Sequence, residues 1–357
     1  MGSRFEDLIL HCESLGLLSL LGMAIGAMFG FAAQRSGFCM RAAAIEVWRG
    51  APGERWLVWL TAASTAILLT QGVVSAGLVD TSAIGKLSNP SSLSAAALGG
   101  LLFGIGMVLS RGCVSRLLVL SGSGNTRALL TLLIVAVVVQ TALTGGLAPL
   151  RLEIREWWVL PAKWSTLSAS LPPFGGVALG TALLLLALWR NYRRRLTVSS
   201  LVTALVIGAM PALALLVTSE YAAHSFDIVA VEGISFAGPA GQQLTALMTD
   251  TDPSLGFSGG LIVGVFLGAL VSALISKRFE WQYFTEESGT ARYVLGAVLM
   301  GFGATLVTGC SVGAGLTDSA LLLHSAWLAV LFMWLCVAFA ARTSDRGPNL
   351  LAQRAST

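Results

Sequence analysis

Three cysteines interrupt an otherwise apolar chain, each inside a short polar motif. Cys39 lies in "RSGFCMRAA" (35–43), Cys113 in "SRGCVSRLLVLSGSG" (110–124) and Cys310 in "VTGCSVGAGLTDSA" (307–320). Gly112 and Gly309 directly precede two of them, and Ser311 follows the third. A thiol is a weak S–H donor with a soft, polarizable sulfur. It can hydrogen-bond a soft, sulfur-bearing group without holding it tightly, which suits a permeation site that must admit and then release. Arg35, Arg41, Arg111 and Arg116 flank the first two motifs, so the surroundings are cationic and favour an anion. No CxxC and no Cys/His metal spacing occurs, so neither a disulfide framework nor a zinc site is signalled.

Other reactive or polar residues read as structural. Cys12 and Cys336 sit in apolar surroundings and read as small buried hydrophobes. Asp318 would repel an anion if it faced the path, and reads as a cap or an ion-pair partner. His11, His224 and His324 are scattered, while Gln34 and Gln140 read as bonds across helices.

The elements that position these residues must cross a membrane. The 357-residue chain is 55% hydrophobic and only 11% charged, against about 25% charged in an ordinary soluble domain. Too few charges remain to cover a water-facing surface. The 40 glycines fit helices that approach closely or break. The first fourteen residues are acidic and do not resemble a cleaved signal peptide. No nucleic-acid motif, no nucleotide-binding loop and no soluble catalytic domain is visible, and no cofactor is implied. The expectation is an all-α polytopic membrane protein.

Runs of roughly 20 apolar residues give about nine expected spans, near 15–34, 56–79, 94–109, 128–147, 174–190, 198–218, 258–276, 293–309 and 325–341. The stretch 148–173, with Trp157, Trp158 and Trp164 beside Arg151, Arg155 and Lys163, reads as an interfacial helix or a loop. With nine alternating crossings, one face receives 17 of the 22 Lys and Arg residues and the other receives 5. Basic residues favour the cytoplasm, so the N-terminus is expected outside and the C-terminus inside.

The chain also repeats. "LGGLLFGIGMVLSRGC" (98–113) aligns without a gap on "LGAVLMGFGATLVTGC" (295–310) at a constant offset of 197 residues. "IGAM" at 25–28 and 207–210 is a weaker echo. Each pair is five crossings apart, so partners run in opposite senses, as in inverted-repeat transporters. The expected halves are 15–147 and 198–341, joined by a central linking helix at 174–190. Spans three and eight would stop at Gly-Cys breaks near the midplane, followed by re-entrant half-helices at 114–121 and 311–322. Their N-termini would aim positive dipole ends into the gap.

The three cysteine motifs resemble the signature loops of the YeeE/YedE family of bacterial membrane proteins, a resemblance running from about residue 20 to 341. It implies an hourglass-shaped inner-membrane transporter of thiosulfate, in which Cys39, Cys113 and Cys310 pass the anion along by hydrogen bonding. The family is also associated with a cytoplasmic TusA-like sulfur carrier; other members are linked to selenium or other sulfur species. The substrate-binding and permeation residues expected here are therefore Cys39, Cys113, Cys310, Gly112, Gly309, Ser311 and Arg111. The alternative from another class is a membrane thiol–disulfide or sulfur-transfer enzyme using the same cysteines.

Overall fold

The computed structural model describes residues 14–162, 165–167, 172, 174–225, 229–249, 256–283 and 289–344. Cys12, His11, Lys163 and Trp164 lie outside these residues. In chain order the helices are α1 Ser14–Ser36, α2 Met40–Trp48, α3 Glu54–Ser75, α4 Gly85–Ser88, α5 Leu93–Leu109, α6 Val114–Gly122 and α7 Thr126–Leu143. They continue as α8 Ala148–Glu156, α9 Gly175–Arg194, α10 Val198–His224, α11 Ala237–Thr249, α12 Gly256–Ile275, α13 Thr290–Val307 and α14 His324–Ser344. Between α13 and α14 a helical segment over 311–320 contains a π-turn, Gly313–Asp318. Two two-residue strands, β1 Ser91–Ser92 and β2 Val159–Leu160, pair antiparallel.

Among the described residues, eight helical stretches are long and apolar enough to cross a membrane. The expected ninth, 174–190, is the 20-residue helix α9, whose last turns carry Arg190, Arg193 and Arg194 and cut its apolar length. Two stretches join a span to the short helix after it: residues 16–48 take in α1 and α2, and 93–122 take in α5 and α6. The short helix α2 falls in a segment that sequence reading treats as a connecting loop. So does α11, within 219–257. The expected interfacial segment contains α8, followed by the exposed Trp157 and Trp158.

Helix contacts come in matched pairs. α1 packs on α12 as α10 packs on α3; α5 packs on α14 as α13 packs on α7. Likewise α6 lies on α12 and the 311–320 segment on α3, while α2 meets α14 and α11 meets α7. The central contact joins α5 and α13 to each other. There a Cβ built on Gly106 would stand 2.6 Å from the Gly296 carbonyl, and one on Gly303 would stand 2.7 Å from the Gly99 carbonyl. Those glycines are partners at the same 197-residue offset.

The longest seam joins α1 to α12. A Cβ on Gly22, Gly26 or Gly30 would overlap the backbone of Phe257, Leu261 or Val265, and one on Gly260, Gly264 or Gly268 would overlap Ser19, Met23 or Ala27. Lipid tails are as apolar as leucine, so burial alone does not drive two helices together inside a bilayer. Bare backbone contact supplies the van der Waals gain instead.

Connecting segments cluster at two ends. At one end Asn125 donates to Gln282 Oε1 at 2.6 Å, Ser200 donates to Glu54 at 2.5 Å, and Arg342 stacks over Trp48. At the other, Lys86 meets Asp318, Ser94 donates to the Ile154 carbonyl, and the His324 N–H donates to the Ser165 carbonyl. These groups divide as the basic-residue count divides the segments.

Candidate functional site

Each motif cysteine occupies the same local position, the residue immediately before a short helix. Cys39 is the N-cap of α2 and Cys113 the N-cap of α6, both with extended backbone and neither side chain spent on capping. Cys310 directly precedes the 311–320 segment. Ser, Thr, Asp or Asn at such positions would turn its oxygen onto the first-turn N–H groups. The carbonyls of Cys39, Cys113 and Cys310 accept from Ala43, Leu117 and Ala314 at 3.1, 2.9 and 2.7 Å.

The breaks are made by left-handed residues ahead of the cysteines. Gly37 has φ 64°, a conformation that costs glycine little. At the other two breaks the left-handed residues are Arg111 (φ 57°) and Thr308 (φ 60°), not the adjacent glycines. Gly112 and Gly309 are buried, and a Cβ on either would meet ordinary contacts at 3.5 and 3.4 Å. Their glycine identity is therefore not what makes the bend. Ser110 ties the first break together, donating to the Gly106 carbonyl at 2.7 Å.

Cys39, Cys113 and Cys310 are all buried in one core cluster, at 8%, 1% and 0% exposure. The thiols of Cys39 and Cys113 face each other inside this cluster. Ser115 Oγ sits 3.3 Å from the Cys113 sulfur. Ser311, the residue after Cys310, places its buried hydroxyl beside the same sulfur. The α5–α6 and α13–π breaks thus converge, as the inverted alignment expects.

Guanidinium groups surround this point. Arg116 faces both Cys39 and Cys113, and its buried Nη1 has no hydrogen-bond partner among the described residues. Arg41 faces Cys39, Arg111 and Arg292, and its buried Nε is also unpartnered. Arg111 itself is exposed. Unpaired buried cations are costly and present a ready receptor for an anion. Ser115 and Arg292 escape sequence reading. Ser115 is one of many small polar residues, and Arg292 joins the cluster only through folding.

On the opposite face, a cavity of about 430 Å³ leads down to Thr308, two residues ahead of Cys310. Lys86, Arg155, Glu232, Ser235, Thr317 and Asp318 line it. Asp318 pairs with Lys86 at 2.9 Å, the structural role expected of it. Cys336 is half-buried, donates to the Leu101 carbonyl at 3.4 Å and packs under Gly104, away from the three-cysteine cluster. Gln34 Oε1 is buried with no hydrogen-bond partner among the described residues, and His224 hydrogen-bonds the Glu220 carbonyl one turn back. Among the described residues there is no group of three His, Cys, Asp or Glu that could hold a metal.

A family model described as "Sulphur transport" matches residues 35–339. A protein named thiosulfate transporter TsuA from Escherichia coli (strain K12) is 26% identical over 352 residues, covering 89% of this chain and 92% of its own length. A protein of the same name from Spirochaeta thermophila is 25% identical over 330 residues, covering 87% of this chain and 94% of its own.

Proposed function

We propose a function from one premise: this chain belongs to the sulphur transport family. Its passenger is thiosulfate or a closely related sulfur-containing anion, the substrate in the names of the two relatives. The anion crosses the bilayer through the centre of the molecule, handed between Cys310, Cys113 and Cys39 by S–H hydrogen bonds. The observation that carries this reading is the cluster itself. Two buried thiols face each other near Ser311 and Arg116, whose buried Nη1 has no hydrogen-bond partner among the described residues. Three helix N-termini open at that point and add positive dipole ends.

The halves 15–147 and 198–341 act as inverted repeats around this point, with 174–190 as a linking helix outside both. The reciprocal glycine contacts of α5 and α13 support that division. The end rich in Lys and Arg faces the cytoplasm, the C-terminus lies there, and the membrane is the bacterial inner membrane. A TusA-like carrier receiving the sulfur at that face remains part of the proposal on family resemblance alone.

Growth of a sulfur-auxotrophic bacterium expressing this chain tests the reading, with thiosulfate, sulfate, sulfite or selenium compounds supplied singly. Rescue by thiosulfate supports it; rescue by none of these anions, with the protein in the membrane, removes it. The contact of Cys39 with Cys113 also suits the alternative, a dithiol enzyme. In that case turnover would oxidise the pair to a disulfide, visible as a loss of two mass units. A transporter leaves both thiols reduced throughout uptake.

A further inference from the structure

The cavity on the face opposite Arg41 and Arg111 contains an ion pair that the thiol relay does not use. Lys86 sits on the one-turn helix α4 with its side chain 37% exposed, while the Asp318 side chain is 4% exposed on the π-turn. The ammonium meets both carboxylate oxygens, at 3.0 and 2.9 Å, and the Thr308 carbonyl at 3.0 Å. It therefore lies across the break that carries Cys310. We infer that Lys86 is the recognition cation of an anion vestibule, and that Asp318 holds it as an internal substitute until a sulfur oxyanion arrives.

Three observations point this way. Asp318 is the fixed partner, since it lies in a buried segment anchored by the Thr317 hydroxyl donating to the Ile234 carbonyl at 2.9 Å. Lys86 is the mobile partner, a flexible four-carbon stem on a short exposed element. The lining also carries Arg155, and the other acid there, Glu232, is engaged through Oε2 by the Ser258 hydroxyl at 2.5 Å. A divalent anion entering the cavity competes with one carboxylate for Lys86. Each time it wins, Asp318 is left buried without its counter-charge, which costs free energy. That cost loosens the hold on the passenger, so that recognition does not become trapping.

This rests on the anion reading above, and the test separates the two. Asn89 is exposed and lines the same cavity, so Asn89→Cys in purified protein reports local charge through labelling by anionic and cationic methanethiosulfonates. Asp318→Asn should raise the anionic-to-cationic rate ratio several-fold, and the double variant Lys86→Gln with Asp318→Asn should return it to near the parent value. Keeping both partners neutral in the double variant avoids a lone buried charge. In vesicles, Asp318→Asn should lower the KM for [35S]thiosulfate several-fold and lower kcat with it; the double variant should raise KM above wild type. An unchanged rate ratio and unchanged KM across all three proteins would overturn the inference. Wild-type vesicles that take up no thiosulfate while the rate ratio still shifts would sink the substrate and leave the vestibule standing.

Discussion

Arg111 and Thr308, partners at the 197-residue offset, adopt the same left-handed backbone, with φ of 57° and 60°. Each stands two residues ahead of a cysteine that opens a short helix. One is exposed at the basic end and the other at the Lys86 cavity. The repeat thus preserves a backbone conformation although the residues differ completely in chemistry.

A β-branched residue is strained in this region, at a cost of order 1–3 kcal/mol. Replacing Thr308 with Gly should raise stability by about 0.5–1 kcal/mol, read as a higher Tm in detergent. A lower Tm would show that the Thr308 hydroxyl, 2.6 Å from the Val307 carbonyl, contributes more than the strain removes.

Substitution of the thiols tests the proposed relay. Cys39→Ala, Cys113→Ala and Cys310→Ala should each abolish [35S]thiosulfate uptake, whereas the matching Ser variants keep a few per cent through a hydroxyl donor. Cys336→Ala should retain uptake, because its thiol serves only packing and the Leu101 carbonyl. Full activity in Cys113→Ala would eliminate a thiol path.

Arg116 separates function from stability. Its Nη1 is buried without a partner among the described residues, so the group is a partly desolvated charge, and an apolar residue of similar length removes that penalty. Arg116→Met should leave Tm unchanged or higher while raising the KM for thiosulfate at least about tenfold, or roughly 1.4 kcal/mol. A Tm fall with normal KM would assign Arg116 to structure alone.

Glycines at the α1–α12 seam tolerate no side chain. Gly264→Val should destabilise by at least about 2 kcal/mol, because its Cβ would overlap the Met23 carbonyl and force the helices apart. Gly16→Ala, at a position with no atom within 4 Å, should be neutral. Equal Tm for both variants would contradict the close approach.

Much of this was legible in the sequence. The apolar runs located the spans, and the aligned 98–113 and 295–310 segments foretold two converging breaks. Asp318 reads from the sequence as a cap or an ion-pair partner, and it pairs with Lys86. What escaped were features without hydropathic contrast. The helix α2 begins at Met40 inside a segment rich in arginine, and α11 contains Pro239 and two glutamines, so neither has the length or polarity of a span. From the sequence, the breaks fall at the Gly112-Cys113 and Gly309-Cys310 pairs. The left-handed residues of the structure are Arg111 and Thr308, just ahead of those pairs, where no side-chain type announces a turn. The contact of Cys39 with Cys113 joins residues 74 positions apart, and only the tertiary fold could reveal it.

The interlocked glycines join residues 22–30 of α1 to residues 260–268 of α12, ridge against ridge with no compressible side chains between. A zip of that kind leaves no slack for either helix to slide along its mate. Whatever opens and shuts along the proposed route must then be small and local, a swing of side chains and short helices at the kinks. A covalent staple across α1 and α12 that spared uptake would bear this out, and one that stopped it would point to large rigid-body motion.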